Sequence, residues 1–396
     1  MLNFQYYMPT RILFGPGSLE ELSSTPNLPR GDKAMIVIGE SGVMLKLGYL
    51  SRVQGLLGEQ GVQTVVFDKV RPNPESNAVD EAAAVCKEMG VNFIVGLGGG
   101  STIDSAKAIA LMAANAGEYW DYMHCETGGG QTPENSALPV VAIPTTAGTG
   151  TEADPWTVIT KTGSPEKVGW GNDSTYPHLS IVDPKLMLSV PAKQTAYTGM
   201  DAFFHAVEAY LATTRQPASD ALALEAVHLI AHTLPDAVAD GDDLQARTVM
   251  AWASSAAGLC INYSSCISQH SLEHALSAFC PDMPHGAGLV MLSKAYFGFL
   301  AARGEERLGD LALAMGDTLD ETVEETVPGV AFLDALDDLI QRIGLGEEKL
   351  SSYGVKRENI PALADNAMEN MGKLFDRTPV EMSRDDVIAV FEAAYA

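Results

Sequence analysis

The amino-acid sequence predicts an N-terminal α/β domain built on a doubly wound parallel sheet, followed by an all-α domain, with a cleft between them. In the first half, continuous apolar runs alternate with helical stretches, which indicates parallel strands joined by crossover helices. After about residue 188 the strand signals end, and Ala- and Leu-rich segments with helical spacing follow. We therefore predict domains at residues 1–188 and 189–396.

The individual elements follow from the same periodicities. The predicted strands are apolar runs bounded by turn residues, and they lie at residues 34–38, 62–67, 93–97 and 138–143. The predicted helices of the first domain lie at residues 78–89 and 103–114. The predicted helices of the second domain lie at residues 199–212, 220–234, 244–261, 270–279 and 331–343.

Composition limits the partners and the compartment of this chain. The formal net charge of −26 over 396 residues opposes binding to nucleic acid or to an anionic membrane, because both attract a positive surface. The five cysteines form no CxxC pair, which is typical of reduced thiols in a cytosolic protein. No signal-peptide pattern and no apolar run of membrane-spanning length are present. We expect a soluble, cytoplasmic protein.

Two loops predict a phosphate-containing cofactor at the carboxyl ends of the strands. Residues 98–101 (GGGS) join a strand to a helix, where bare amides and the helix dipole favour an anion. This loop matches only half of the GxGxxG pattern, and a tight turn without a ligand is the alternative. Residues 144–152 (PTTAGTGTE) add hydroxyl groups after the next strand, at the edge where open α/β sheets bind ligands. Ser101 and Asp104 have the spacing of a capping box, or Asp104 contacts the cofactor instead.

Histidines at helical spacing in the second half predict a metal site. Asp201 and His205 are four residues apart and so share one helix face, as do His270 and His274. His285 lies on a predicted turn before the next helix. An aspartate with three histidines suits Fe²⁺ or Zn²⁺ and is too rich in nitrogen for Mg²⁺ or Ca²⁺.

Other histidines and another enzyme class compete with this interpretation. His228 and His232 have the same spacing, but we interpret them as ordinary helix residues because no carboxylate-bearing turn accompanies them. Residues 270–274 also match HxxEH, a metalloprotease pattern in which Glu273 activates water. That alternative leaves the whole first half of the chain without a role.

The chain resembles the iron-containing (group III) alcohol dehydrogenases along nearly its whole length. The motifs that carry the resemblance are residues 7–15 (YMPTRILFG), 71–74 (RPNP), 98–107 (GGGSTIDSAK), 144–152, 198–208 (TGMDAFFHAVE) and 270–286. The resemblance implies a Rossmann-like nucleotide domain, a helical metal-binding domain, and hydride transfer between NAD(P) and a small primary alcohol, diol or aldehyde. It also implies a homo-oligomer, a dimer or larger.

The resemblance also implies roles for individual residues. The metal ligands correspond to Asp201, His205, His270 and His285. His274 corresponds to a histidine near the nicotinamide and the substrate, and we expect it to relay the hydroxyl proton. The implied cofactor contacts fall on Asn73, Gly99, Gly100, Ser101, Thr145, Thr146, Thr149, Asp154 and Lys167.

One departure from the family pattern bears on the cofactor. Many NAD-dependent members carry an aspartate at the end of the first strand, where this chain has Gly39 followed by Glu40 and Ser41. Without that carboxylate a 2′-phosphate is tolerated, and Ser41 is able to donate to it, whereas Glu40 opposes it. The balance favours NADP over NAD. The ligand set favours Fe²⁺, with Zn²⁺ as the alternative.

Two further enzymes of the same architecture remain as alternatives. A dehydroquinate-synthase-like enzyme uses a nicotinamide cofactor internally, but it needs basic residues for a phosphorylated acidic substrate, and the helical half is poor in them near the ligands. A glycerol-dehydrogenase-like enzyme is the other. A non-catalytic dinucleotide-binding protein would not need four metal ligands in the right order.

Overall fold

The structure is a computed structural model, and it describes residues 3–316 and 328–395. These residues form two compact units. The α/β unit comprises Tyr7–Thr146 and Gly150–Ser189, and the helical unit comprises the described residues of 1–6, Ala147–Thr149 and the described residues of 190–396. The predicted boundary after residue 188 lies one residue from the main division, but the prediction placed 1–6 and 147–149 in the other half.

The α/β unit contains a six-stranded sheet in which every neighbouring pair is parallel, as predicted. Its strands are β1 (Arg11–Phe14), β2 (Lys33–Gly39), β3 (Gln63–Val70), β4 (Phe93–Gly98), β5 (Val140–Pro144) and β8 (Leu179–Val182). They lie in the order β1-β8-β5-β4-β2-β3, and a separate antiparallel hairpin pairs β6 (Thr157–Thr160) with β7 (Lys167–Trp170). Strand β3 is added on one side of β2, whereas β4 and the later strands are added on its other side. This switch in the order of strand addition, between β2 and β4, creates the type of crevice that binds ligands in open α/β sheets.

Helices cover this sheet because its central strands are apolar on both sides. The helices of the α/β unit are α1 (Val43–Lys46), α2 (Tyr49–Glu59), α3 (Ser76–Met89) and α4 (Gly100–Ala114), with 3-10 turns at Ser18–Ser23, Tyr119–Tyr122, Thr151–Ala153 and Pro184–Met187. Every residue of β4 and β5 is buried, and α4 is buried on almost all sides from Thr102 to Met112. The predicted strands and helices of this unit are therefore confirmed, although their ends move by a few residues.

A buried lysine fixes the chain that follows β5. The Lys107 side chain is fully buried, and its Nζ donates to Thr151 Oγ1 at 2.6 Å and to the Asp154 carbonyl at 2.8 Å. The same Nζ lies 3.1 Å from Asp154 Oδ1 and 3.0 Å from the Trp156 carbonyl. Burial raises the pKa of Asp154 to about 6, although Lys107 counteracts it. The network ties α4 to the segment that leads into β6.

The helical unit contains no strand among its described residues, as the sequence predicted. Its helices are α5 (Ala192–Leu211), α6 (Pro217–Ala239), α7 (Leu244–Tyr263), α8 (Ser268–Phe279), α9 (His285–Ala302), α10 (Leu308–Ala314), α11 (Pro328–Arg342), α12 (Ile360–Asn370) and α13 (Arg384–Tyr395). Short 3-10 turns occur at Leu350–Tyr353, Arg357–Asn359 and Gly372–Leu374. In the described part of the chain, none of the helices combines the length and apolar character that crossing a membrane requires.

Helix α5 is central to this unit and packs against α6, α7 and α9. Its Phe203 and Phe204 are fully buried, and the Phe204 ring stacks on Phe297 of α9 with 5.9 Å between ring centroids. Phe297 in turn makes an edge contact with Phe332 of α11 at 5.3 Å. Because such aromatic contacts fix the rotation of α5 about its axis, they also fix the direction of the polar residues on its other face.

Replacing Lys107 tests the buried network. We expect Lys107→Met to lower the free energy of unfolding by about 3–5 kcal/mol, since it leaves the Asp154 carboxylate buried without its cation. The loss should be larger at about pH 8 than at about pH 5, because Asp154 becomes protonated at the lower pH and no longer needs a cation.

Chemical denaturation of both proteins measures this loss. The control is Lys69→Met, which removes a lysine whose partner Glu81 is equally exposed, and it should leave the unfolding free energy nearly unchanged. Equal losses for the two variants, or a loss that does not depend on pH, would contradict the role given to Lys107.

Candidate metal centre and nucleotide-binding loops

Three helices bring a set of carboxylates and imidazoles together in the helical unit. Asp201, His205 and Glu208 lie at i, i+4 and i+7 on α5, so one face of that helix carries all three. His270 and His274 lie one turn apart on α8. His285 is the first residue of α9. The residue before it, Pro284, has extended backbone angles and is the N-cap at which the helix begins.

The carboxylate of Asp201 is the common point of three imidazoles. Its Oδ1 lies 3.6 Å from His205 Nε2, 3.6 Å from His270 Nε2 and 3.4 Å from His285 Nε2. The His205 and His270 rings are nearly parallel, with 4.5 Å between their centroids. The structure therefore brings together all four residues that the sequence analysis named as metal ligands.

These distances fit donor atoms that share one cation better than they fit hydrogen bonds. Two donors bound to one tetrahedral metal at about 2.1 Å are about 3.4 Å apart, whereas a nitrogen–oxygen hydrogen bond is about 2.9 Å long. Asp201 Oδ1 and His270 Nε2 are buried and have no hydrogen-bond partner among the described residues. Buried polar atoms in that situation are costly unless something compensates them, and a divalent cation compensates both.

Charge interactions in the cluster favour a negative Asp201, and burial favours a neutral His205. Burial acts to raise the pKa of Asp201, but the neighbouring imidazoles of His205 and His285 outweigh it and hold that pKa well below its usual range. Burial lowers the pKa of His205 to about 4, against the attraction of Asp201. Burial also opposes charge on His270, yet the neighbouring Cys266 and Glu208 raise its pKa well above the usual range. The surroundings of the His270 ring thus favour positive charge at this position, which a cation at Nε2 would supply while the ring itself stays neutral.

Two buried glutamates contact the imidazoles on the side away from Asp201. The sequence analysis gave Glu208 no role and considered Glu273 only in the protease alternative. Glu208 and Glu273 are both fully buried. Glu208 Oε1 lies 2.5 Å from His270 Nδ1, and Glu273 Oε2 is paired with His285 Nδ1. Because a carboxylate only accepts, each Nδ1 carries the proton and each Nε2 presents its lone pair towards Asp201. This carboxylate–histidine arrangement orients imidazole ligands in metal sites.

The same geometry does not fit the HxxEH protease interpretation. That mechanism needs Glu273 to face a water molecule on a metal held by His270 and His274. Instead, the Glu273 carboxylate accepts from Ser277 Oγ through one oxygen and pairs with His285 through the other. His274 is buried beside the cluster, with its ring centroid 5.6 Å from that of His285 and 6.4 Å from that of His270.

The second pair of histidines at helical spacing lies elsewhere. His228 and His232 are exposed on α6, and their Nδ1 atoms lie 3.1 Å from the Ala314 carbonyl and 2.8 Å from the His228 carbonyl, respectively. Neither belongs to a group of potential metal ligands in the described ranges. They are surface residues of the helix, as interpreted from the sequence.

In the α/β unit, the predicted cofactor residues cluster at the carboxyl ends of β2, β4 and β5. Gly39 is the last residue of β2, and Gly99, Gly100 and Ser101 form the start of α4 directly after β4. A Cβ atom on Gly99 would lie 3.1 Å from Thr146 Oγ1, and Thr145 N donates to the Gly98 carbonyl at 2.9 Å. The GGGS loop and the threonine loop are therefore adjacent.

The capping-box prediction for Ser101 and Asp104 is wrong. Helix α4 begins at Gly100, and its N-cap residue Gly99 makes no side-chain cap. The Asp104 carboxylate instead accepts from Thr151 Oγ1 at 2.5 Å and from Val158 N at 2.9 Å. The sequence pattern failed because it fixed only the spacing, whereas the glycines set the N-cap two residues earlier, at Gly99.

The remaining predicted cofactor residues have varied surroundings. Asp154 lies inside the buried Lys107 network, and Lys167 is buried at the start of β7. Asn73 has a φ of 50°, the single positive value for a non-glycine residue in the described ranges, and such strain is common at functional loops. Ser41 is exposed just after β2, and Thr149 belongs to the segment that groups with the helical unit.

Comparisons with known proteins cover the whole chain. Residues 9–184 match the family model described as iron-containing alcohol dehydrogenase, and residues 195–395 match the model of the C-terminal part of the Fe-containing alcohol dehydrogenase family. Alcohol dehydrogenase 4 of Saccharomyces cerevisiae (strain YJM789) is 35% identical over 98% of each chain, and 1,3-propanediol dehydrogenase of Klebsiella pneumoniae is 34% identical over 99% of each. The solved archaeal halo-thermophilic Red Sea brine pool alcohol dehydrogenase superposes with a TM-score of 0.94 at 33% identity, covering 100% of this chain and 99% of its own.

Neutralising Glu273 tests whether it orients His285 towards a metal. The Glu273→Gln side chain keeps its shape and still accepts a hydrogen bond, but it loses the negative charge that strengthens the imidazole as a ligand. We expect the affinity for a divalent cation, measured by competition with a chelator, to fall by about tenfold to a hundredfold.

The matched control is Glu225→Gln, which makes the same chemical change at an exposed position of α6 and should leave the affinity unchanged. A folded Glu273→Gln protein that binds the cation as tightly as the unaltered chain would remove Glu273 from the centre.

Proposed function

The chain belongs to the iron-containing alcohol dehydrogenase family, and from this premise we propose that it transfers a hydride between NAD(P) and a small primary alcohol, diol or aldehyde. The family assignment makes it an oxidoreductase that uses a nicotinamide dinucleotide and a divalent metal. The observation that carries the proposal is the convergence of three imidazole Nε2 atoms on Asp201 Oδ1.

We propose that Asp201, His205, His270 and His285 hold a single divalent cation. Three nitrogens and one carboxylate oxygen suit Fe²⁺, and the same donors suit Zn²⁺. We favour iron, in line with the name of the family. A cation bound there supplies Lewis acidity towards an alcohol or carbonyl oxygen.

The residues around the ligands hold the protons in place. Glu208 and Glu273 keep the Nδ1 protons of His270 and His285 pointing away from Asp201, so that both rings present lone pairs. We propose that His274, which lies beside His285 on a buried face, relays the hydroxyl proton of the substrate. An imidazole suits this role because it gains and loses a proton near neutral pH.

We propose that the dinucleotide binds at the carboxyl ends of β2, β4 and β5. The amides of Gly99, Gly100 and Ser101 open a helix and are suited to the pyrophosphate. Hydroxyl and polar groups nearby would contact the phosphates and riboses, and these proposed contacts are Asn73, Asp104, Thr145, Thr146, Thr149, Asp154 and Lys167. The strain at Asn73 and the adjacency of the two loops support this placement.

We further propose that NADP is preferred over NAD. Gly39 ends β2 without a carboxylate, and a Cβ atom there would make only ordinary contacts, the nearest at 3.6 Å. Glu40, which opposes a 2′-phosphate, is paired with Arg71 at 3.0 Å, and both side chains are largely exposed. That pairing reduces the repulsion from Glu40 and places a guanidinium at the carboxylate of the residue between Gly39 and Ser41; in dinucleotide sites of this type a nearby arginine accommodates a 2′-phosphate.

We also propose that the enzyme acts in the cytoplasm as a homo-oligomer, a dimer or larger. All five cysteines are free, which suits a reducing compartment. Strand β1 lies at one edge of the sheet and ends at the exposed Phe14, a feature that favours contact with another chain.

Assays at the nicotinamide absorbance band with a panel of alcohols and aldehydes, combined with elemental analysis, test the function. We expect turnover that needs bound metal. The His270→Ala protein should lose the metal and the activity while it still binds the dinucleotide, because His270 belongs to the helical unit and the proposed dinucleotide contacts, except Thr149, belong to the α/β unit. Turnover by a metal-free His270→Ala protein would contradict the proposal, and the control His228→Ala, on the surface of α6, should behave as the unaltered chain.

Restoring the carboxylate at the end of β2 tests the cofactor preference. We expect Gly39→Asp to reduce the ratio of kcat/KM for NADP to kcat/KM for NAD by at least about tenfold, because the new carboxylate repels the 2′-phosphate. Gly58→Asp is the matched control, since Gly58 lies on α2 with open space around it. An unchanged ratio in the Gly39→Asp protein would show that this residue does not face the ribose.

A further inference from the structure

A short piece of the threonine loop (residues 144–152) lies on helix α5. Ala147–Thr149 groups with the helical unit, whereas the loop residues on both sides of it belong to the α/β unit. Gly148 makes the contact with the helix. A Cβ atom on Gly148 would lie 2.7 Å from Thr198 Cβ and 2.8 Å from the Thr198 carbonyl oxygen, so the loop backbone touches α5 with no side chain between them.

The threonine loop is anchored on both sides of this contact. Before it, Thr145 N donates to the Gly98 carbonyl at 2.9 Å. After it, Thr151 Oγ1 accepts from the fully buried Lys107 Nζ at 2.6 Å. Gly148 lies midway between Thr145 and Thr151, and each anchor is only a few residues away. The loop therefore cannot shift on the surface of α5 without straining one of the two anchors.

The turn of α5 below Gly148 also carries part of the metal centre. Thr198 and Asp201 are three residues apart on the helix, so they are neighbours on its surface. On the same turn, the Tyr197 carbonyl lies against Gly286, where a Cβ atom would overlap it. Gly286 follows the proposed ligand His285. One turn of α5 thus touches the threonine loop and the backbone beside a proposed ligand, in both cases through a glycine.

The start of α5 is held by a buried arginine. Arg247 of α7 is only 4% exposed, and it donates to Thr195 Oγ1 at 2.7 Å and to the Val190 carbonyl at 2.9 Å. The helix cannot slide along its axis without breaking these bonds. Because closely packed backbones have little room to compress, a displacement at one glycine contact is transmitted to the rest of the turn.

We propose that the threonine loop couples dinucleotide binding to metal binding through Gly148 and α5, so that each ligand strengthens the binding of the other. The proposal rests on the proposed function, because it needs both ligands. A dinucleotide held by Thr145, Thr146 and Thr149 would fix the loop on α5, and a cation held by Asp201 would fix the turn of α5 below it. Each ligand orders a contact that the other needs, and thermodynamic linkage makes the two effects equal.

A probe without the nicotinamide ring tests this coupling, because a direct contact between that ring and the cation would also couple the two ligands. ADP-ribose and its 2′-phosphate carry the adenosine and pyrophosphate groups of NAD and NADP but have no nicotinamide. Titration calorimetry of both probes into the metal-free protein and into zinc-loaded protein, freed of unbound zinc, measures the coupling. We expect the better-binding probe to bind at least about fivefold more tightly to the zinc-loaded protein. Competition with a chelator should show that this probe raises the zinc affinity by the same factor.

Two variants test the route through the loop. The methyl group of Gly148→Ala would overlap backbone atoms of Thr198, so the loop has to lift from α5, and we expect the coupling to fall below about twofold. Thr198→Gly removes the Cβ atom that packs on Gly148 and should weaken the coupling in the same direction. The control Gly298→Ala adds a methyl group on α9 where a Cβ atom meets open space among the described residues, and it should keep the full coupling.

The possible results separate this proposal from the function on which it rests. Equal affinity of each probe for the metal-free and the zinc-loaded protein overturns the coupling and leaves both binding sites intact. A protein that binds no zinc overturns the metal centre and with it the proposed function. Full coupling in Gly148→Ala and in Thr198→Gly assigns the effect to another route and overturns the role of the loop. If one of these two variants does not fold, the other decides.

Discussion

A carboxylate that is withdrawn from water needs positive charge or hydrogen-bond donors close to it, because its lost hydration has to be replaced. Asp201 is only 3% exposed, and the groups that face its Oδ1 are three imidazole nitrogens at 3.4–3.6 Å. Neutral imidazoles offer lone pairs in this geometry, since His270 and His285 are held with their Nδ1 protons pointing towards other carboxylates. A cation in the middle would satisfy all of these atoms at once.

The positions of these groups depend on backbone geometry more than on any single contact. The 3.6-residue period of α5 places Asp201, His205 and Glu208 on one face, while the aromatic contacts of Phe204 on another face fix the rotation of the helix. Glu208 then joins α5 to α8 by holding both His270 and the Ile267 amide. The donors are thus mounted on regular elements, which keeps ligand positions more accurate than loops would.

The sequence predicted most of the fold but only part of the site, and the reason lies in the range of the interactions. Apolar runs and helical periodicity were enough to find β2 to β5 and most of the long helices, although α2 and α9 were not among the predicted helices. The four-residue strands β1 and β8 were missed because they are too short to show a period, and the start of α4 was misplaced because Ser101 and Asp104 matched a spacing that the glycines override. The ligand spacing on α5 and α8 is local and therefore readable. The pairing of Glu208 with His270, 62 residues away, is decided by tertiary packing and leaves no local pattern.

Both units contain a cluster of buried charged groups. The two clusters differ in whether the protein itself supplies the opposite charge. In the α/β unit the Lys107 ammonium has its acceptors supplied by the protein itself, including the carboxylate of Asp154, so the cluster is complete. In the helical unit Asp201, Glu208 and Glu273 are buried together, and the residues that face them are histidines, which are uncharged when they act as ligands. Such a cluster carries excess negative charge that a divalent cation offsets. The same electrostatic reasoning that assigns Lys107 to stability therefore supports the proposal that the histidine cluster binds a metal.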